Sequence, residues 1–478
     1  YNEEIMSRLL SGLLCLILLQ FGLLAQNGYK ELLLEGDKLL NKRPPDVLNA
    51  RMKYLEALNK EKNDPEVYIK IAITFIYAKD ERSANMNLDQ GLKLFKEGKS
   101  NMKAILTYYK GMVKEFVPPD TKDTNKIKKH FSEAIKYYLE SLDYLEVPVF
   151  RWNDFDFSKV NIYNDVGRVS MMINDAENGK KYFQLCLDAI GADKDNKYYT
   201  ISHFGLAQIY KFVGILDSSV HHFNKVLEVD PKNINALSEL YGMYFDAGDY
   251  DKGFIVVNRI DSMMSVTYDA LMKRKDAPKD SIQYIANIIY NTKMEKGHLK
   301  FNSKSYEESL NFYAEAYKYK KNKKLIELLK KMTILNELSK NGWMPVVKDA
   351  QFIKHGNEYF FYSPAELKTN PDSSVTATIK SVVTADVDLN MLNVFQSEFD
   401  QTAPDNIDKV LKSKYGQNEY NWTFVCGKND FVQNFEKKFD PTGKDVSKPG
   451  SSKPVNKTAT SDSFELDILK FLCRAAGK

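Results

Sequence analysis

The 478-residue sequence predicts a mainly α protein: a solenoid of paired helices followed by a small α+β C-terminal module. Three observations carry that expectation. Ala, Gly and aromatic residues recur at fixed spacing through roughly residues 28–341, and a repeat of that length means stacked helical units. The aromatic residues are dominated by 29 Tyr and 27 Phe, with only 23 Gly and 15 Pro to interrupt the chain, which favours long helices. After Asn341 the helical period stops and short β-branched and aromatic runs take over, punctuated by Pro364 and Pro371. A 43% hydrophobic composition is enough to build a core, and 68 Lys+Arg against 64 Asp+Glu leave a formal charge of +4. So weak a charge argues against a nucleic-acid partner, whose binding domain would be strongly basic.

In chain order, the first element is Leu9 to Leu24, a Leu-rich run preceded by Arg8 and ending at Ala25-Gln26. It is short for a membrane span, whereas a basic residue, an apolar stretch and a small exit residue describe a secretory signal. Met6 is then the natural start, residues 1–25 are upstream sequence and signal, and no membrane span is expected once they are removed. The Ala-Gln ending resembles export signals of Bacteroidota-type bacteria. That resemblance implies an exported product, periplasmic, cell-surface or secreted, with envelope association among the expectations.

The repeat is clearest from Thr200 to Asp261. With Thr200 as the first place of a 34-residue unit, His203, Leu206, Ala207, Tyr210, Gly214, Ser219, Phe223, Val226 and Pro231 fall at signature places. Leu237, Leu240, Tyr241, Tyr244, Gly248, Tyr250, Gly253, Val257 and Ile260 follow in register. Small residues at the eighth and twentieth places let the two helices of a pair approach closely, and Gly closes the first helix. Looser copies surround them: Gly36 with Tyr54, Ala72 with Ala84 and Leu88, Gly111 with Ala134 and Tyr138, Gly167 with Phe183, and Gly297 with Ser309 and Tyr313. This pattern resembles the tetratricopeptide (TPR) repeat, over residues 28–341, with Lys323 to Lys340 as a polar-faced capping helix.

The resemblance implies a superhelix whose ligand-facing side is lined by first helices. The corresponding places hold Asn164, Arg168 and Met171; Phe204, Gln208 and Lys211; and Asn235 and Phe245. Amide and cationic groups beside Phe and Met suit an extended peptide or a helix of another protein. The carboxylate clamp of chaperone-binding TPR proteins is not reproduced, since Gly205 and Glu239 stand where it needs Asn and a cation.

Residues 343–478 form the second expected module, with strands at Gln351–Lys354, Glu358–Tyr362, Val375–Thr384 and Tyr420–Cys426 and a helix over Pro404–Lys414. A Lys/Ser/Thr/Pro tract at 441–462 reads as disordered, and Ser463–Arg474 as an amphipathic helix. In an oxidising compartment Cys426 and Cys473 are expected to pair across that tract, while Cys186 is a core thiol. The order Trp343, Glu358-Tyr359-Phe360-Phe361-Tyr362, Ser363-Pro364-Ala365, then Trp422 and the two cysteines resembles surface-adhesin E type domains. That likeness implies a compact α+β module on an exported protein.

Reaction chemistry finds no foothold. Gly98-Lys99-Ser100 lacks the upstream glycine and strand of a phosphate-binding loop, and no metalloprotease, paired Cys or nucleophile-elbow motif occurs. His203, His221 and His222 share one repeat without a placed Cys or carboxylate, so no metal and no cofactor is expected. Asp154 and Asp156 sit in an aromatic insertion, Phe150–Phe157, read as a loop packed on the solenoid. The expected function is therefore a non-enzymatic, exported scaffold that binds a protein or peptide. An assembly subunit of an envelope secretion or motility machine is a second reading. An enzyme with its site in the C-terminal module is a third, disfavoured because that module holds His355 as its one histidine.

Overall fold

The computed structural model describes residues 28–152, 155–348, 351–384, 389, 415–440, 444–449 and 453–478. The expected signal segment and the helix over Pro404–Lys414 lie outside these residues. The chain divides into two compact units, one ending at Ala236 and the other running from Leu237 to Lys478. The division falls inside the run that the repeat pattern treats as one solenoid, not at the expected boundary near residue 342.

The first unit is built of consecutive helix pairs: α1 (28–40) with α2 (Val47–Lys60), α3 (Pro65–Tyr77) with α4 (Glu81–Leu92), α5 (Asn101–Phe116) with α6 (Thr124–Tyr144), α7 (Lys159–Met172) with α8 (Ala176–Ile190), and α9 (Lys197–Phe212) with α10 (Leu216–Val229). A hairpin, β1 (Val149–Trp152) and β2 (Phe155–Ser158), stands where the aromatic insertion was expected as a loop. It buries Trp152 and Phe157 against α5 to α7, so the aromatics are core even though the backbone is a hairpin. In the second unit α11 (Ile234–Asp246) leads to α12 (Tyr250–Met272), α13 (Lys279–Asn302), α14 (Tyr306–Tyr319) and α15 (Lys323–Lys340).

Five within-pair turns share one geometry. At each, the residue two beyond the first helix adopts φ between 58° and 80°: Lys79, Asn174, Gly214, Gly248 and Lys304. Its N–H donates to the carbonyl three residues back, and the following N–H reaches five back: Asp80 to Phe75, Asp175 to Ser170, Ile215 to Tyr210, Asp249 to Tyr244 and Ser305 to Lys300, at 2.8–3.0 Å. This is the Schellman closure, which satisfies carbonyls the helix end leaves open. The close-approach places behave as their chemistry requires. Ser219 Oγ donates to the Ala207 carbonyl and Ser309 Oγ to that of Gly297, both at 2.8 Å. A Cβ on Gly297 would meet the Tyr313 ring at 2.3 Å, and one on Gly167 the Phe183 ring at 2.9 Å, so glycine admits the aromatic ring of its partner helix.

The C-terminal residues form an antiparallel sheet ordered β12-β11-β10-β9-β7-β3. Its strands are β3 (Met344–Pro345), β7 (Glu358–Tyr362), β9 (Ser374–Val383), β10 (Gly416–Val425), β11 (Asp430–Phe439) and β12 (Val455–Thr458). Short strands β6 (Lys354–His355) and β8 (Lys368–Thr369) pair with β7 and β9, and β4 (Val347–Lys348) pairs with β5 (Gln351–Phe352). Strand β12 corrects the expectation of disorder across 441–462, because its four residues pair with β11. Period-two alternation sends side chains to two cores. Phe360, Ile379, Trp422 and Phe431 pack on helix α16 (Phe464–Ala475), with Ile468 and Leu472 buried there. Tyr359, Phe361 and Val382 pack instead among Tyr313, Leu325, Leu329 and Leu335. Helix α15 is thus an interior helix covered by the sheet, not a polar cap. Even Lys331 is buried, its ammonium near the rings of Phe301 and Phe352.

Candidate functional site

The expected ligand-facing residues separate by environment. Asn164 is buried and its amide donates to Asp165, so it supports α7 and presents nothing to a partner. Arg168 is half-exposed but engaged: it pairs with the buried Glu115 and reaches Asp165 at 2.9 Å. Burial pushes the Asp165 carboxyl up to about 6, with the hydrogen bond from the Tyr108 hydroxyl pulling the other way. Removing Arg168 would strand two buried carboxylates, so the group ties α5 to α7. Phe204 lies edge-on to Phe223 at 5.4 Å, and Phe245 lies 6.0 Å from the rings of Tyr241 and Tyr250. Lys211 and Asn235 are exposed.

Two expected residues do come together. Met171 and Gln208 line an open recess of about 120 Å³ between the ends of α7 and α9, completed by Asn174, Ala176, Ile209 and Phe212. Around it lies an apolar surface absent from the expected set: Phe212 is 71% exposed, and Met172, Val213, Ile215 and Leu216 are each close to half exposed. The α9–α10 turn supplies most of it. The matching N-cap places at Asp80, Asp175 and Asp249 hold carboxylates that accept a backbone N–H, and Ser305 occupies the fourth, a polar residue that makes no side-chain cap bond. Ile215 occupies the fifth with the same backbone conformation (φ −93°, ψ 76°) and no side-chain cap. An apolar N-cap forgoes about 1 kcal/mol of helix stability. A signal for this site was present in the sequence, as the one apolar turn, Phe212-Val213-Gly214-Ile215-Leu216, among turns that otherwise carry polar residues.

The three histidines of the α9–α10 repeat lie together. His203 Nδ1 and His222 Nδ1 are 2.8 Å apart, so one ring donates and the other accepts. His222 stacks on Tyr210, and His221 meets His222 edge-on. Burial first, and the neighbouring imidazoles second, push both His203 and His222 down to about 4. Among the described residues no group of three or more His, Cys, Asp or Glu is arranged to hold a metal ion. Asp156 accepts from Arg151 on the hairpin surface, whereas Asp154 lies outside the described residues. Cys426 and Cys473 are joined by a disulfide, Cα to Cα 5.7 Å, and Cys186 is a buried thiol. Among the described residues no helix is long and apolar enough to cross a membrane.

Each unit holds consecutive helix pairs like those of a TPR solenoid, the first with an apolar, solvent-open face at one turn and the second followed by an antiparallel sheet region. No family model matches the chain, and no curated protein matches it. Among solved structures, it is similar to the C-terminal part of a TPR repeat-containing protein from Cytophaga hutchinsonii. The identity is 12% over 61% of this chain and 97% of the other, with a TM-score of 0.44. A thermophilic TPR protein of Thermus thermophilus gives 14% identity, 45% and 99% coverage and a TM-score of 0.33. YrrB, a TPR protein with an unusual peptide-binding site, gives 17%, 43%, 90% and 0.31. At these scores the likenesses carry no weight of their own; the class rests on the five matched turns and the close-approach contacts.

Proposed function

We propose that the protein is a non-enzymatic interaction scaffold that docks a protein or peptide partner on the apolar face around Met171, Gln208 and Phe212. The observation that carries this reading is the α9–α10 turn. It gives up a stabilising cap and exposes Phe212, Ile215 and Leu216 together, and natural chains accept such local losses where function requires them. Exposed apolar side chains around a small recess suit a partner that inserts an apolar anchor, with Gln208 available to a polar group beside it. The proposal includes export: the Cys426–Cys473 disulfide supports an oxidising compartment.

Crosslinked purification from the native host, comparing wild type with Phe212→Asp, tests the docking surface. A discrete partner that is lost in the variant is expected; a partner retained unchanged would remove this face from the account. Recovery of the complex in the membrane fraction, with other envelope subunits, would favour the assembly-subunit reading. Mass spectrometry of the mature protein is expected to find Gln26 at its N-terminus, and an intact Leu9–Leu24 segment would overturn export by cleavage.

A further inference from the structure

The two cysteine environments of the molecule are chemical opposites. Cys186 is fully buried in the first unit, its Sγ donating to the Val160 carbonyl, and burial pushes the thiol up to about 11. It is inert. The disulfide partners Cys426 and Cys473 are only half-buried, and both line an open recess of about 760 Å³, so a small molecule can reach the bond. Three cations line the same recess: Lys428, two residues after Cys426 on the β10–β11 turn, Arg474, directly after Cys473, and Lys470, one helical turn before it. All three are exposed and none forms an ion pair with a described residue. Asp467 is the only carboxylate among the described lining side chains, and Lys348 Nζ holds both its oxygens at 2.9 and 3.0 Å.

Disulfide exchange responds to charge on both sides of the bond. The attacking species is a thiolate and the departing sulfur leaves as one, so neighbouring cations favour both steps. The bond itself selects the reactant, because exchange needs a thiolate to open it, and three cations without carboxylate partners favour a thiol that carries a further negative charge. The direction of opening follows from position. Cys473 lies in the last turn of α16, where the helix dipole disfavours an anion, whereas Cys426 lies at the start of the turn that carries Lys428. Cys426 is therefore the better leaving group.

We propose that the Cys426–Cys473 bond is a thiol-exchange site for small anionic thiols, those that bear a carboxylate. The incoming thiolate bonds to Cys473 Sγ as the Cys426–Cys473 bond breaks. The electron pair leaves on Cys426 Sγ, which takes up the proton the incoming thiol gave up, and a mixed disulfide remains on Cys473. A second thiol displaces that adduct, leaving the small-molecule disulfide and two protein thiols. Two thiols are oxidised and one disulfide is reduced.

The test treats the intact oxidised protein, without denaturant, with mercaptoacetate or with cysteamine at equal thiolate concentration and about 50 mM salt, where exposed charges are little screened. Alkylation and peptide mass mapping follow the opening of the bond. The anionic thiol is expected to open it about tenfold faster than the cationic one. The transient adduct is expected on Cys473, with Cys186 unlabelled throughout. The Lys428→Gln/Lys470→Gln/Arg474→Gln variant, shown to be folded by circular dichroism, should lose most of the preference. Equal rates for the two thiols, an undiminished preference in the triple variant, or a bond that neither thiol opens would overturn the proposal. An adduct on Cys426 would overturn the direction of opening. Phe212→Asp should leave both rates unchanged, which separates this site from the proposed docking face.

Discussion

Replacing Ile215 by Asp puts the account of the α9–α10 turn at risk in a single substitution. The backbone at Ile215 matches that of Asp80, Asp175 and Asp249, each of which accepts the N–H three residues on, from Ser83, Asn178 and Lys252. A carboxylate at 215 should likewise accept the N–H of Ser218. A good N-cap contributes about 1 kcal/mol, and a negative charge at the helix N-terminus adds a few tenths. Against this, Ile215 is 49% exposed, so its loss removes about half of a full side-chain burial, again about 1 kcal/mol. Ile215→Ala loses the packing and gains no cap. The expected order is therefore Ile215→Asp within about 1 kcal/mol of wild type, and Ile215→Ala about 1 kcal/mol below it. Urea unfolding followed by circular dichroism measures both, and amide exchange at Ser218 reports the cap directly. Partner capture should fall in Ile215→Asp although its stability does not. If Ile215→Asp were less stable than Ile215→Ala, or left Ser218 exchange unchanged, the turn would not be a vacant cap and the argument from forgone stability would collapse.

Three other perturbations follow from the packing. Gly297→Ala should destabilise the second unit by about 2 kcal/mol, since overpacking against Tyr313 outweighs the helix gain of alanine. Gly242→Ala, with nothing within 4 Å of the new Cβ, should stabilise it by about 0.5–1 kcal/mol, and thermal denaturation of the two variants should give opposite signs. Lys304→Gly should gain about 1 kcal/mol in urea unfolding by relieving a left-handed lysine at φ 60°. For the histidine pair, the folded values near 4 lie below the ordinary 6.5, so the unfolded chain takes up protons first as pH falls. The first unit should therefore hold this stability above about pH 6.5 and lose it progressively toward pH 4. A melting temperature flat across that window, or unchanged in slope by His222→Gln, would contradict the buried neutral pair.

The helix pairs were legible because their logic is local. Ala207 with Ser219, and Gly297 with Tyr313, lie within a single repeat, and their spacing is written in consecutive residues. What depended on distant partners was less visible. Strand β11 carries Glu436, Lys437 and Lys438 and does not announce itself, yet it is a strand because β10 pairs along its length and β12 adds a second partner at Asp430–Gln433. Lys331 suggests a wet face on α15, yet its side chain is buried with the ammonium near the rings of Phe301 and Phe352. At the candidate site, Met171 and Gln208 come from two different ligand-facing places of successive repeats and line one recess. Asn164 and Arg168, at equally good positions, are taken up by Asp165 and Glu115, the latter from a different helix pair. Position within a repeat gives direction; whether a side chain is free depends on what neighbouring helices bring to it.

The central claim is that the face around Gln208 and Phe212 holds a protein partner. A photoactivatable phenylalanine analogue placed at Gln208 in the native host, in otherwise wild-type and Phe212→Asp backgrounds, tests it most directly. The account predicts a discrete crosslinked adduct in the first background and its loss in the second. No adduct at Gln208, or one of equal yield in both, would contradict it.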